Sequence, residues 1–217
     1  MSADIKFCGL TRPEDAEFAA ELGAAYVGVI FAGGPRALTL ERAMEVLAGV
    51  PRLVNRVGVF ADQSAHEITR AADWLQLDVV QLHGTWSKER VGDIRLDFSG
   101  RVWPVCRVAN GVVPGDAQNG VTIGDGLVLD AYVQGALGGT GTTLPWFGMV
   151  NDVAALRVHG KPLVLAGGLR PENVGTAIVA LTPEVVDVSS GVESAPGIKD
   201  HARMRAFRDA VKAAIPI

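Results

Sequence analysis

The sequence predicts a (β/α)8 barrel, and two observations carry that prediction. Short runs of Val, Ile and Leu recur along the 217 residues, and a loop and an Ala-rich amphipathic segment follow each run. The runs are continuously apolar, which is typical of parallel strands that are buried on both faces. About eight such units fit a chain of this length as a compact barrel. A doubly wound sheet is the alternative, but it usually has fewer strands at this length.

The elements follow one another in strict alternation. The predicted strands are Ile5–Gly9, Tyr26–Phe31, Arg56–Phe60, Val79–Leu82, Val102–Val108, Leu127–Asp130, Leu163–Ala166 and Val185–Val188. The predicted helices begin near Pro13, Thr39, Ser64, Ser87, Leu144, Pro171 and Asp200. At the first of these, Thr11 is expected to cap a helix that has Pro13 and Glu14 in its first turn. The segment Ala109–Gly126 has five glycines and is expected to be weakly helical at best.

The composition narrows the class of protein. Hydrophobic residues make up 48% and charged residues 20% of the chain, as in ordered globular proteins. The net charge is −4 and no basic run is present, so no nucleic-acid partner is expected. The apolar runs are too short to cross a bilayer and no signal peptide is visible, so a cytoplasmic protein without membrane contact is expected. No linker interrupts residues 1–217, which are predicted to form one domain, as a monomer or a homodimer.

Two candidate catalytic residues stand at predicted strand ends. In such barrels the active site lies at the C-terminal ends of the strands. Cys8 ends the first strand, where it could be a nucleophile, a base or an inert core residue, and Asp130 ends the sixth. Strands one and six lie apart in the ring, so an acid and a base there could approach one ligand from different sides. Cys106 also lies near a strand end, but we expect it to be structural.

Further polar residues cluster at the same end of the predicted barrel. Gln81 and His83 follow the fourth strand, Asp187 lies in the eighth, and Arg36 lies in the loop after the second. We take these four as candidate substrate-binding residues. The remaining histidines lack the spacing of metal ligands, so neither a metal nor a cofactor is predicted.

Glycine-rich loops after strands seven and eight predict a phosphate site. Gly167 and Gly168 precede a helix, and Ser190 and Gly191 follow the last strand. Glycines let backbone N–H groups approach an anion, and loops seven and eight are the usual phosphate clamp of this architecture. The segment Gly138–Thr143 resembles another phosphate loop but lacks the Walker lysine. The alternative is that these glycines serve only tight turns.

A lysine at a strand end would instead suggest Schiff-base chemistry, as in barrel aldolases. Lys6 is the nearest candidate, but we expect its side chain to point away from the Cys8 side of the strand. Lys161 precedes its strand. An aldolase or a lyase is therefore not favoured.

A set of ordered motifs resembles one enzyme family, the phosphoribosylanthranilate isomerases. The most specific are the opening Cys-Gly-Leu-Thr at residues 8–11 and the closing Asp-Val-Ser-Ser-Gly-Val-Glu at residues 187–193. The motifs span nearly the whole chain in the family's order. The others are Val57-Gly58-Val59-Phe60, Val80-Gln81-Leu82-His83-Gly84, Leu129-Asp130-Ala131, Gly138-Gly139-Thr140-Gly141, Ala166-Gly167-Gly168-Leu169 and Pro171-Glu172-Asn173-Val174.

The resemblance implies an Amadori rearrangement of N-(5-phosphoribosyl)anthranilate in tryptophan biosynthesis. By motif, Asp130 would be the general acid that opens the furanose ring, and Cys8 the general base at C2 of the sugar. Arg36 would bind the anthranilate carboxylate, while Gly168, Ser190 and Gly191 would hold the phosphate and Asp187 would contact sugar hydroxyls.

Two loops depart from the family pattern. The loop after strand two, residues 31–37, lacks the usual aromatics, and Thr142 stands where a lysine often follows the Gly-Thr-Gly sequence.

Two alternatives remain within this reading. A related sugar isomerase of histidine biosynthesis typically has an aspartate in place of Cys8 and a second phosphate loop halfway along the chain. A barrel that binds a phosphorylated ligand without catalysis would be expected to lose Cys8 or Asp130 first. Both residues are present.

Overall fold

The computed structural model, which describes residues 3–132 and 146–214, has the predicted barrel. Eight parallel strands pair in chain order, and β8 pairs with β1 to close the ring. The strands are β1 Asp4–Phe7, β2 Tyr26–Ile30, β3 Asn55–Phe60, β4 Val79–Leu82, β5 Arg101–Ala109, β6 Leu127–Tyr132, β7 Leu163–Ala166 and β8 Val185–Val188. The doubly wound sheet is thereby excluded, because its edge strands would not pair with each other.

Helices cover the outside of the ring. They are α1 Pro13–Glu21, α2 Leu40–Leu47, α3 Ala65–Leu75, α4 Lys88–Asp97, α5 Ala117–Ile123, α6 Val150–Arg157, α7 Val174–Leu181 and α8 His201–Ala213. A 3-10 turn, Trp146–Met149, precedes α6, and another, Ser190–Val192, follows β8. After it comes a short hairpin of β9 Glu193–Ala195 and β10 Ile198–Lys199. No described helix has the length and apolarity that a membrane crossing requires.

Most helix starts follow the local signals in the sequence. The side chains of Thr39, Ser64, Ser87 and Asp200 each accept a hydrogen bond from a backbone N–H in the first turn of a helix. The prediction for Thr11 is wrong. Thr11 does not cap α1, because its hydroxyl donates to the Gly197 carbonyl instead. Arg12 occupies the cap position and makes no side-chain capping bond.

Two other predictions differ from the structure or are refined by it, and two more fall outside the described residues. Helix α7 begins at Val174 rather than near Pro171, because Asn173 accepts from the Arg170 N–H and closes a turn before the helix. The segment predicted to be weakly helical contains the seven-residue α5. The predicted loop Gly138–Thr143 and the helix start near Leu144 lie outside the described residues.

Apolar side chains fill the barrel interior at the N-terminal ends of the strands. Tyr26 and Trp103 pack there with ring centroids 5.1 Å apart, and the Arg101 guanidinium lies over both rings. Valines from neighbouring strands complete this layer. The other faces of the strands pack against the helices, as Phe7 of β1 does against Phe207 of α8. Because side chains fill the N-terminal end of the described barrel, its interior opens at the C-terminal mouth.

The expectation for Lys6 is wrong. Lys6 points into the barrel, where its side chain is fully buried and pairs with Asp187. Side chains two residues apart on a strand share a face, so Lys6 and Cys8 both face the interior while Phe7 faces the helices. Lys6 is absent from the cavity wall, and its ammonium is held by a carboxylate. Schiff-base chemistry is therefore disfavoured by this ion pair and not by the direction of the side chain.

Candidate active site

A cavity of about 240 Å³ opens at the C-terminal ends of the strands. It brings together every predicted site residue except Arg36. Its lining is Cys8, Ile30, Val59, Gln81, His83, Val128, Asp130, Ala166, Gly167, Gly168, Leu169, Asp187, Ser189, Ser190 and Gly191. A second depression, of about 520 Å³, lies near the other end of the strands, around Gln76 and Phe98, and none of the predicted residues lines it.

Asp130 stands on the β6 wall of the cavity with its side chain 24% exposed. It faces inward because it lies two residues after Val128, which belongs to the interior layer. The Nε2 atom of His83 lies 3.7 Å from Oδ2 of Asp130. Burial raises the pKa of Asp130, His83 opposes this, and the negative charge of Asp187 adds to it. A raised pKa suits a carboxyl group that has to donate a proton.

Cys8 stands on the β1 wall, and two strands, β7 and β8, separate it from Asp130 around the ring. The residue is 6% exposed, and its backbone N–H donates to the Val188 carbonyl. Burial raises the pKa of the Cys8 thiol, whereas the positive charge of Lys6 opposes that rise. Asp187 acts in the same direction as burial. The sulfur is thus placed to exchange a proton with a ligand, but the free protein favours its thiol form.

Cys106 lacks these features, in agreement with its predicted structural role. It belongs to the layer between strands and helices and does not line the cavity. Burial and the nearby Asp116 raise the pKa of this thiol to about 12. Such a thiol is a poor proton acceptor at neutral pH.

The loops after β7 and β8 pack directly on each other and form one side of the mouth. Gly167 and Gly168 have φ values of +87° and +66°, which glycine adopts at little cost. A Cβ on Gly191 would lie 1.9 Å from the Leu169 carbonyl oxygen, so no side chain fits there. The Asn173 side chain donates to the Gly168 carbonyl and keeps the first loop closed. Small, close-packed loops of this kind leave backbone N–H groups accessible to an anion.

Three buried polar atoms at the cavity have no hydrogen-bond partner among the described residues. They are Oε1 of Gln81, Oδ1 of Asp187 and Oγ of Ser189. Buried polar atoms in proteins are nearly always hydrogen-bonded, so unpartnered ones at a cavity point to a polar ligand. Two acceptors and a hydroxyl suit a ligand that carries several hydroxyl groups.

Arg36 lies at the rim and not on the cavity wall. Its Nε and Nη2 atoms donate to the two carboxylate oxygens of Glu193 at 2.8 and 2.6 Å. Gly9 makes room for this side chain, because a Cβ there would lie 2.7 Å from the Arg36 Cδ atom. Glu193 also accepts from the buried ammonium of Lys199 at 2.8 Å. Arg36 is therefore held by a protein carboxylate beside the site.

Reasoning from the sequence missed three residues of the site's support. Lys6 was assigned to the wrong face, although correct use of the two-residue strand period would have found it. Glu193 and Lys199 lie in or next to the closing motif, but nothing local to the sequence shows that Glu193 joins Lys199 to Arg36. These pairs join positions that are distant along the chain or separated by a hairpin, so only the fold reveals them.

The fold and the site together define a barrel enzyme whose mouth has a glycine-rich rim, with an acidic group and a thiol on different walls. The family described as N-(5'-phosphoribosyl)anthranilate (PRA) isomerase matches residues 5–210. The isomerase of that name from Pseudomonas aeruginosa (strain LESB58) is 43% identical over 213 residues, which cover 96% of this chain and 94% of the relative. The one from Chromohalobacter salexigens is 42% identical over 205 residues, 94% of this chain and 91% of the relative.

Solved structures agree with these relatives. The phosphoribosyl anthranilate isomerase of Thermotoga maritima is 35% identical, with a TM-score of 0.84 over 97% of this chain and 98% of that one. An isomerase in complex with reduced 1-(o-carboxyphenylamino)-1-deoxyribulose 5-phosphate gives 33% identity and a TM-score of 0.81 over the same shares. The chain belongs to the N-(5'-phosphoribosyl)anthranilate isomerase family and is an isomerase of tryptophan biosynthesis. Neither the histidine-pathway isomerase nor the non-catalytic barrel is favoured.

Proposed function

We propose that this chain converts N-(5-phosphoribosyl)anthranilate to 1-(2-carboxyphenylamino)-1-deoxyribulose 5-phosphate, with Asp130 as the general acid and Cys8 as the general base. The observation that carries this assignment is the order of groups around the mouth. Asp130 on β6 comes first, then the glycine loops after β7 and β8, and then Cys8 on β1. A sugar whose phosphate binds those loops lies between the acid and the base.

The reaction proceeds in proton transfers. The Asp130 carboxyl group protonates the ring oxygen as the C1–O bond breaks, and the nitrogen lone pair forms the C1=N bond of a Schiff base. The Cys8 thiolate takes the proton from C2, and the released electron pair forms C1=C2 while the nitrogen regains its pair. The resulting enolamine loses its hydroxyl proton and gains one at C1, which gives the ketone. Positioned acids and bases of this kind contribute about 10²–10⁴-fold each.

The remaining predicted residues bind the substrate in this proposal. The backbone of Gly167, Gly168, Ser190 and Gly191 holds the phosphate. The unpartnered oxygens of Asp187 and Gln81 accept from sugar hydroxyls, which is supported by their burial at the cavity. His83 lies beside Asp130 and helps to place the ring oxygen against the acid.

Arg36 contributes from the rim. Glu193 occupies its Nε and one terminal nitrogen, which leaves the other terminal nitrogen to donate to the anthranilate carboxylate. Glu193 in this arrangement orients the guanidinium.

We further propose that the enzyme acts in the cytoplasm, as a monomer or as a homodimer. The structural neighbours include monomers generated from a dimeric isomerase of Thermotoga maritima.

The fluorescence loss of phosphoribosylanthranilate tests the assignment. The purified chain is expected to consume the substrate, while Cys8→Ser and Asp130→Asn lose about 10²–10⁴-fold in kcat. Cys106→Ser is the matched control for loss of a buried thiol and is expected to keep the wild-type rate. Full activity in both Cys8→Ser and Asp130→Asn would end the assignment. An inactive wild type that still binds substrate would favour a non-catalytic barrel.

A further inference from the structure

The Lys6 ammonium lies directly beneath the active-site thiol. Its side chain has 0% exposure, and Nζ donates to Oδ2 of Asp187 at 2.7 Å. The two residues are direct partners in the β1–β8 register. A buried charge of this kind is costly unless it is paired, and removal of its partner leaves an uncompensated charge. A fully buried lysine beneath the cavity therefore calls for a role beyond packing.

The neighbouring strand β2 leaves room for this ammonium and for the Cys8 sulfur at the same place. A Cβ added to Gly28 would lie 3.1 Å from the Cys8 Sγ atom and 3.3 Å from the Lys6 Nζ atom. Sulfur and ammonium thus both lie against one stretch of backbone that has no side chain. An alanine there would press on both groups at once.

Three other charged groups lie near Cys8, and none of them is as well placed as Lys6 to stabilise a thiolate. Lys199 on β10 donates to the Cys8 carbonyl, to the Ser189 carbonyl and to the Glu193 carboxylate. These three bonds use all three hydrogens of the Lys199 ammonium. Arg36, from the loop after β2, is held by Glu193. Asp187 on β8 is negative and disfavours a thiolate. Among the described residues, Asp187 is the one hydrogen-bond partner of Lys6, which leaves hydrogens that can turn to the sulfur.

We propose that Lys6 is a positioning residue whose buried ammonium holds the Asp187 carboxylate and stabilises the Cys8 thiolate. The proposal rests on the proposed function, in which Cys8 is the base. The direction of the pKa effects supports it. Burial raises the pKa of Cys8, and Lys6 is the strongest influence that opposes the rise. Burial also lowers the pKa of Lys6, but Asp187 and Cys8 more than offset this, so the lysine stays charged.

The test is a titration of the Cys8 thiol in the free enzyme, followed by the ultraviolet absorbance of the thiolate. A Cys106→Ser background leaves Cys8 as the single thiol. In Lys6→Met the titration is expected to move to higher pH by about one unit or more, which is a tenfold or larger loss of thiolate at a given pH. Lys199→Met is the matched control, with the same loss of a buried cation and a smaller expected shift. An unshifted titration in Lys6→Met would overturn the proposal.

A second comparison covers the case in which Lys6→Met does not fold because Asp187 is left without a partner. The thiol is then titrated in Asp187→Asn and in Lys6→Met/Asp187→Asn. The double variant is expected to titrate at the higher pH, and equal titrations in the two would contradict the proposal. The readout needs no turnover. A fully active Cys8→Ser would therefore sink the proposed function, while the titration would still decide whether Lys6 stabilises the thiolate.

Discussion

The proton balance between Asp130 and Cys8 is the main physical consequence at the scale of single residues. The proposed mechanism requires a protonated carboxyl group on Asp130 and a thiolate on Cys8. Burial raises the pKa of both groups, so between their two pKa values the pair holds one proton, which lies mainly on Cys8. The active form has that proton on Asp130 instead. It has the same total charge, so its population is small but independent of pH across this interval.

This balance predicts the shape of the pH profile. The value of kcat/KM is expected to fall at low pH as the pair gains a second proton at the pKa of Asp130, and at high pH as it loses its last proton at the pKa of Cys8. Because burial raises both values, the acid limb should lie above the pKa of an ordinary aspartate and the alkaline limb above that of an ordinary thiol. Steady-state rates across the pH range check this. A narrow optimum whose alkaline limb lies below the usual thiol pKa would contradict it.

At the scale of elements, the decisive contact is between the loops that follow β7 and β8. The 3-10 turn Ser190–Val192 lies so close to the first loop that Gly191 has the Leu169 carbonyl where a side chain would be. The first loop is held in turn by Asn173, which bonds to both Arg170 and Gly168. The two loops therefore act as one rigid rim, and a change in one displaces the other.

A substitution at Gly191 tests this contact. In Gly191→Ala the new Cβ would overlap the Leu169 carbonyl, so the loops must separate and the proposed phosphate site widens. We expect KM for the phosphorylated substrate to rise about tenfold or more, which corresponds to about 1.4 kcal/mol of binding free energy. Gly175→Ala, where a Cβ meets nothing within 4 Å, is the control. An unchanged KM in Gly191→Ala would show that this rim does not hold the phosphate.

Local patterns predicted most of the elements, and the failures have physical causes. The strands were found to within one or two residues because parallel strands buried on both faces are continuously apolar. The helix starts at Thr39, Ser64 and Ser87 could be predicted because a cap bond joins residues that are at most three positions apart. The predicted cap at Thr11 was wrong because its hydroxyl donates to the carbonyl of Gly197, which lies far along the chain. A signal that depends on a distant partner cannot be read from neighbouring residues.

At the scale of the whole molecule, the barrel divides its interior between packing and chemistry. Tyr26, Trp103 and Arg101 fill one end, and the polar residues occupy the other. The position of Cys8 and Asp130 at that mouth followed from their place at strand ends. The ion pair of Lys6 with Asp187 and that of Arg36 with Glu193 could not be predicted, because ring closure brings each pair together.

The measurement that most directly tests the central claim is a double-mutant cycle on Cys8 and Asp130, read as kcat/KM for phosphoribosylanthranilate. If both residues act on one substrate at one site, each single variant loses about 10²–10⁴-fold and the double variant loses little more than the worse single one. The two residues are not an acid and a base that work together if the double variant's loss equals the product of the two single losses, so that their activation free energies add in full. The same conclusion holds if either single variant keeps the wild-type kcat/KM.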